Sequence, residues 1–247
     1  MAALPKRVWS RHQPSVMLNF SNFEMLTFDC YGTLIDWEAG IFTALKPVLA
    51  VHGKFIADDQ LLELYGEFES QAEAGEYRPY REVLKTVVRA LGKRLDFTPT
   101  VEEVDSLSNS IAKWQPWPDT VCALKKLSTR YRLAIISNID DDLFTATRRC
   151  LPVEFDSVTT AEQAAGYKPS LNIFKMALGK SKLSPDRILH VGQSIYHDVL
   201  PAQSLGLATA WVNRPSPRAG VGAVKPARGK PDLEVPDLES LAEMAVG

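Results

Sequence analysis

The sequence predicts an α/β fold: a Rossmann-like parallel sheet core with helices on both faces and an inserted all-helical cap. Three observations predict it. Short apolar runs recur along the chain, and each stops at a polar residue or a glycine. Helix-like periods fill the intervals between them, as a parallel sheet covered on both faces requires. The alternation lapses in one stretch, from about residue 37 to 116.

The first run, Met25-Leu26-Thr27-Phe28, stops at Asp29 and is followed by Gly32, so it reads as a buried strand ending in a turn. The stretch that follows contains long helical patterns over residues 38–51, 57–74, 78–91 and 100–114, with no convincing strand. An all-helical insert directly after the first strand would lie over the carboxyl edge of the sheet as a cap. Trp114-Gln115-Pro116-Trp117-Pro118 reads as the hinge by which the chain returns. A helix over 119–129 follows, with Asp119 placed to cap it.

The second strand is Leu133-Ala134-Ile135-Ile136, ending at Ser137-Asn138, and a helix is expected over 141–149. Phe155-Asp156-Ser157-Val158 is a weaker strand, and 170–180 a further helix. Arg187-Ile188-Leu189-His190-Val191 ends at Gly192, and Pro201 to Leu205 forms a short helix. The last strand is Ala208-Thr209-Ala210-Trp211-Val212. After Asn213, five prolines up to and including Pro236 mark an irregular loop, closed by a terminal helix near 237–245. The expected division is a core of residues 1–36 and 117–247, with 1–22 an N-terminal arm and 214–236 the irregular loop, and a helical cap of residues 37–116.

Composition excludes several classes of function. The chain has 247 residues, 45% of them hydrophobic, enough to bury a substantial core. Its net charge of −2 and scattered Lys and Arg lack the basic stripe of a nucleic-acid binder. The strongest basic run, Lys225 to Lys230, is diluted by Pro and Gly and reads as a tether. Three cysteines without paired spacing argue for a reducing compartment and against structural zinc. Cys30, inside an apolar strand end, reads as a small buried hydrophobe rather than a nucleophile. Residues 1–22 have no signal-peptide core and no run is long enough to cross a membrane, so the expectation is a soluble, cytoplasmic protein with no membrane partner.

In parallel sheets, ligands bind outside the carboxyl ends of the strands, and Asp29, Ser137 and the segment from Gly192 all fall there. Four elements line up: Asp29-x-Tyr-Gly-Thr33-Leu-Ile-Asp36, Ser137-Asn138, Gly-Tyr-Lys168-Pro, and Gly192-Gln-Ser-Ile-Tyr-His-Asp198. A carboxylate at a sharp strand end can attack an electrophilic carbon or phosphorus and form a covalent ester. Lys168 would lower its pKa and balance developing charge. The Ser137 hydroxyl, the Asn138 amide and backbone N–H groups of the turn through Thr33 can donate to an anionic group on the substrate. Asp198 can orient Lys168 or bind a metal. Each has a plainer reading: Asp36 can cap the first cap helix, Thr33 the turn, His197 can be structural, and Tyr65, Phe68 and Phe174 can be core.

In this order and spacing the four elements resemble the haloacid dehalogenase superfamily, over residues 24 to 245. That resemblance implies a hydrolase with Asp29 as nucleophile and Asp29, Thr33, Ser137, Asn138, Lys168 and Asp198 as catalytic residues. It implies two chemistries. Phosphatases of the superfamily carry a second Asp two positions after the nucleophile as general acid, where this chain has Tyr31; a halide needs no such proton, and the Asp-x-Tyr-Gly-Thr form resembles the 2-haloacid dehalogenases. Phosphatases also hold Mg²⁺ with acidic positions in the last motif, the first of which is Gln193 here. The expectation is therefore a 2-haloacid dehalogenase-like enzyme needing no cofactor. The alternatives are a Mg²⁺-dependent phosphatase, with the ion on Asp29, the Tyr31 carbonyl and Asp198, and a binding module of little activity. The chain also departs from L-2-haloacid dehalogenases. Gln193 and Ile195 stand where a Ser and an Asn place the hydrolytic water, and Phe174 replaces a tyrosine. The halide-binding arginine has no counterpart near Tyr65-Gly66-Glu67. The cap does supply Arg78 and Arg81, expected to bind a halide or carboxylate. Tyr31, Gln193 and Ser194 complete the expected substrate-binding set, for a small anionic organic substrate. The aromatic, partly apolar cap offers a surface for a homodimer.

Overall fold

A computed structural model of the chain describes residues 18–214, 223 and 226–247. Six strands form one parallel sheet: β1 (Met25–Phe28), β2 (Arg132–Ser137), β3 (Ser157–Thr160), β4 (Ile188–Gly192), β5 (Ala208–Val212) and β6 (Leu233–Val235), in the order β3-β2-β1-β4-β5-β6. Phe28 pairs with Ile135 on one side and Val191 on the other, so the strand ends at Asp29, Ser137 and Gly192 lie abreast. The chain leaves β1 for β2 on one side and later returns to β4 on the other. Such a switch in direction opens a crevice at the strands' carboxyl ends, and Asp29 sits in it.

The central strands are buried throughout because helices cover both faces. Alternate side chains feed two cores. Leu26, Phe28, Leu133, Ile135, Leu189 and Val191 join the larger one. Met25, Ala134, Ile136 and Ile188 point the other way and pack with Ile173, Phe174 and Ala177. This is the period of two expected of a pleated strand.

Between β1 and β2 the chain is helical: α1 (Trp37–Val51), α2 (Asp58–Glu73), α3 (Tyr80–Arg94), α4 (Val101–Val104) and α5 (Ser106–Ser110). Asp36 caps α1, accepting from the Ala39 N–H at 3.1 Å, the plainer of its two readings. The single helix expected over 100–114 breaks at Asp105. The hydroxyls of Ser108 and Ser110 donate to the Asp105 and Leu107 carbonyls, a local competition that such residues set up against regular helix. The outgoing and returning chains run side by side: Ile35 bridges Pro116, the Asp36 N–H donates to the Gln115 carbonyl, and the Trp117 N–H to that of Leu34.

The remaining helices are α6 (Thr120–Leu127), α7 (Asp141–Thr147), α8 (Ala161–Ala164), α9 (Leu171–Ser181), α10 (Leu200–Ser204) and α11 (Leu238–Val246). Four local expectations are corrected. The weak strand falls at Ser157–Thr160 rather than 155–158, since β3 pairs with the carboxyl-terminal part of β2, Ala134 to Ser137. α8, capped by Thr160, was not foreseen. Asp119 does not cap α6: its carboxylate accepts from both Arg214 Nη atoms, at 3.0 and 3.1 Å, and from the Leu238 N–H. The loop expected over 214–236 contains β6, held beside β5 through the Asn213 N–H to the Val235 carbonyl. Most of the proposed arm at 1–22 and part of the basic run at Lys225–Lys230 lie outside the described residues. Among the described residues no helix is long and apolar enough to cross a membrane.

Candidate active site

Asp29 is the first residue past β1, and its N–H donates to the Val191 carbonyl of β4 at 2.9 Å. The chain then turns sharply, with the Leu34 and Ile35 N–H groups both donating to the Cys30 carbonyl. The turn needs Gly32, whose φ is +92° and where a Cβ would lie 2.6 Å from Gln193 Oε1. It brings the Thr33 hydroxyl to Asp29, donating to Oδ2 at 2.7 Å, while the Gln193 N–H donates to Thr33 Oγ1 at 2.9 Å. Thr33 therefore ties Asp29 to the last motif rather than only closing its own turn.

Lys168 binds the site together. Its Nζ donates to Asp29 Oδ1 at 2.7 Å, Asp198 Oδ1 at 2.7 Å and the Ile136 carbonyl at 3.1 Å. Three donors meet three acceptors, and the lysine is buried. Asn138 clamps it from behind: its side-chain oxygen accepts from the Lys168 N–H and its amide donates to the Lys168 carbonyl. One amide hydrogen thus helps position Lys168, and the amide carries a second donor at a residue that lines the cleft. Asp198 is fixed in turn by the Ser194 N–H on Oδ2 and by His190 Nε2, 3.4 Å from Oδ1. Gly192 permits this approach, since a Cβ there would sit 2.5 Å from that of Asp198.

The charges follow from burial and pairing. Burial drives the Asp29 carboxyl upward and outweighs the lowering by Lys168, so its pKa lies above the ordinary value rather than below it as the sequence suggested. Burial also opposes ionisation of Asp198, but Lys168 and His190 overcome it and hold that carboxyl well below the usual range. Burial works against the Lys168 charge too, and its two carboxylate partners more than restore it, leaving its pKa raised. Burial pushes the Cys30 thiol far up, consistent with an inert core side chain.

Above the floor is a narrow cleft of about 50 Å³. Of the expected residues, Asp29, Tyr31, Ser137, Asn138, Lys168, Gln193, Ser194 and Asp198 line it. The Ser137 hydroxyl, 1% exposed, has no hydrogen-bond partner. The Tyr31 hydroxyl points away to Thr147 Oγ1 at 2.7 Å. Arg78 and Arg81 do not line the cleft, a correction to their expected role. Arg78 donates to the Ala72 carbonyl, and Arg81 pairs with Asp142 at the surface.

Sequence reading missed His190, Trp37 and the residues of the facing wall: Glu69, Glu73 and Tyr80. The Tyr65 and Tyr80 hydroxyls both donate to Glu69 Oε1, at 2.9 and 2.5 Å. Burial pushes the Glu69 carboxyl up to about 7 and raises that of Glu73 well above the ordinary value. A signal existed: Glu69 follows Tyr65 by four positions on the apolar face of α2, where a carboxylate is out of place. Tyr65, Phe68 and Phe174 are buried as the core reading held, Phe174 with its ring edge-on to His190.

Ligands for a dication would be Asp29, the Tyr31 carbonyl and Asp198, but the Lys168 ammonium already bridges the two carboxylates. Among the described residues no group of three or more His, Cys, Asp or Glu is arranged to hold a metal ion. A hard dication gathers several carboxylates, so this donor set fits one poorly.

A family model described as haloacid dehalogenase-like hydrolase matches residues 23–206. The (S)-2-haloacid dehalogenase H-109 of Pseudomonas putida is 25% identical over 236 residues, covering 89% of this chain and 96% of that one. A glyceraldehyde 3-phosphate phosphatase of Methanothermobacter thermautotrophicus is 27% identical over 192 residues, covering 75% and 84%. A shorter match, 38% over 87 residues, is to the haloacid dehalogenase-like hydrolase domain-containing protein 3 of Xenopus laevis; it takes in 35% of this chain and 36% of that protein's length. In three dimensions the chain is similar to L-2-haloacid dehalogenase from Xanthobacter autotrophicus with chloropropionic acid covalently bound, at a TM-score of 0.75 and 19% identity over 90% of this chain and 98% of the other.

Proposed function

The chain belongs to the haloacid dehalogenase-like hydrolases, and from that premise we propose that it works through an ester on Asp29, cleaving the carbon–halogen bond of a small 2-halocarboxylic acid without a metal. A carboxylate oxygen of Asp29 displaces the halide, which leaves with the bonding electron pair. Water then attacks the carbonyl carbon of the Asp29 ester, releasing the 2-hydroxy acid and a proton and restoring the carboxylate. Lys168 and the Thr33 hydroxyl aim Asp29 and hold its charge. The unpartnered Ser137 hydroxyl is the donor left for the substrate's anionic group.

The observation that carries carbon–halogen cleavage is Tyr31. It stands two residues after Asp29, its hydroxyl is bonded to Thr147, and burial pushes its pKa far up, so it supplies no acid for a leaving oxygen. A halide requires none. The second reading, a Mg²⁺-dependent phosphatase, rests on the likeness to glyceraldehyde 3-phosphate phosphatase and on the presence of Asp198. Halide release from 2-chloropropionate in EDTA, set beside aryl phosphate hydrolysis with and without Mg²⁺, separates the two. Halide release in EDTA is expected; phosphate release that depends on Mg²⁺ reverses the assignment.

A further inference from the structure

The wall facing Asp29 offers carboxyls where an anion would need donors. Glu69 and Glu73 both line it, four residues apart and so on one face of α2. Among the described residues lining the cleft, Lys168 is the one lysine or arginine. Its three N–H groups are already taken by Asp29, Asp198 and the Ile136 carbonyl, leaving none for the opposite wall. Two carboxyls thus line the cleft with no ion pair from the chain, and burial pushes both upward, with Glu69 adding to the rise at Glu73 and the Lys168 charge partly opposing it.

Past Glu73 the cleft adjoins a second hollow, and Glu73, Lys168 and His197 line both. Tyr77, Tyr167 and Tyr196 border this hollow. The Tyr77 and Tyr167 rings lie 5.5 Å apart with their planes inclined at 39°, and Tyr80 adds a third ring 6.2 Å from Tyr167. The faces of such rings attract cations, and a carboxylate beside them completes the chemistry that holds an organic ammonium. At the other end of the cleft, the buried Ser137 hydroxyl lacks any partner, a vacancy of the kind a ligand fills.

We propose that the substrate carries an organic ammonium group at the end remote from the bond that Asp29 attacks, held by Glu73 and Glu69 and flanked by the Tyr77 and Tyr167 rings. This rests on the hydrolase reading for the reacting end alone; capture of the ammonium needs no turnover.

The test is calorimetric titration with choline and with its uncharged isostere, in which carbon replaces the nitrogen. Choline is expected to bind at least about tenfold more tightly, equivalent to roughly 1.4 kcal/mol. Glu73→Gln should abolish that preference, and Tyr77→Leu should reduce it at least about threefold, a second variant at the cleft's rim. Equal binding of the two probes by the wild-type chain, or a preference that survives both substitutions, overturns the proposal. If the preference for choline holds while no adduct forms on Asp29 with any halide or phosphate substrate, the hydrolase reading fails and the ammonium site stands.

Discussion

The floor and the facing wall of the cleft are built on opposite plans. On the floor, Asp29, Thr33, Lys168 and Asp198 form a closed circuit in which each ammonium hydrogen has its acceptor. On the wall, Glu69 takes two tyrosine hydroxyls, and among the described residues neither carboxyl forms an ion pair with Lys168, whose N–H groups are taken on the floor. A closed circuit is rigid before anything binds, which suits groups that must be aimed at a reacting atom. An open one is completed by its ligand, which suits the selection of that ligand. The difference teaches where to look for chemistry and where for selectivity.

Breaking the floor should have the larger effects. Asp29→Asn keeps an acceptor for Thr33 but removes the nucleophile, so turnover should fall by at least about 10⁴-fold with the melting temperature nearly unchanged. A rate that survives this change removes the chemistry from the floor. Lys168→Ala leaves Asp29 and Asp198 buried without their shared counter-ion and should cost about 3–5 kcal/mol in urea unfolding, besides turnover. A loss below about 1 kcal/mol would mean that the circuit is looser than its geometry indicates.

On the wall, Glu69→Gln should stabilise, with a dependence on pH. The folded chain keeps the Glu69 proton to about pH 7, where the carboxyl would ordinarily lose it near 4.5. It therefore binds an extra proton between these values, and wild-type stability declines as pH rises through that window. The advantage of Glu69→Gln should be absent below the ordinary carboxyl pKa and grow to the order of 3 kcal/mol above neutrality. Equal urea midpoints for the two proteins at mildly acidic and mildly alkaline pH would show the wall to be already balanced. The smallest effect belongs to Arg81→Ala. Its partner Asp142 is exposed, so stability should change by less than about 1 kcal/mol and kcat/KM should not move.

The floor was legible in the sequence and the wall was not, for a physical reason. The floor is anchored at strand ends, where an apolar run stops abruptly at Asp29, Ser137 or Gly192 and each stop marks the same edge of the sheet, while Lys168 enters from the stretch between α8 and α9. Asp198 could be placed by its distance from Gly192. Wall residues lie within helices, where Glu69 and Glu73 look like any acidic pair until packing shows which face is inward. Arg78 and Arg81 misled for the converse reason: charge and position drew attention, and only the fold shows them spent on Ala72 and Asp142. His190 was hidden in its strand, where only burial against Thr27 and Asp198 reveals its part. β6 escaped because three residues among prolines carry too short an alternation to read.

The outgoing and returning chains meet at Ile35 and Pro116, so the whole helical stretch hangs from the sheet by one paired seam. Everything that forms the facing wall is threaded between those two points, and the circuit around Lys168 lies entirely outside them except for contacts across the cleft. A foreign stretch spliced in at this seam would import its own appetite for substrates while inheriting the reaction unchanged. Such an exchange would alter the wall without touching the three strand ends at Asp29, Ser137 and Gly192, on which the proposed reaction rests.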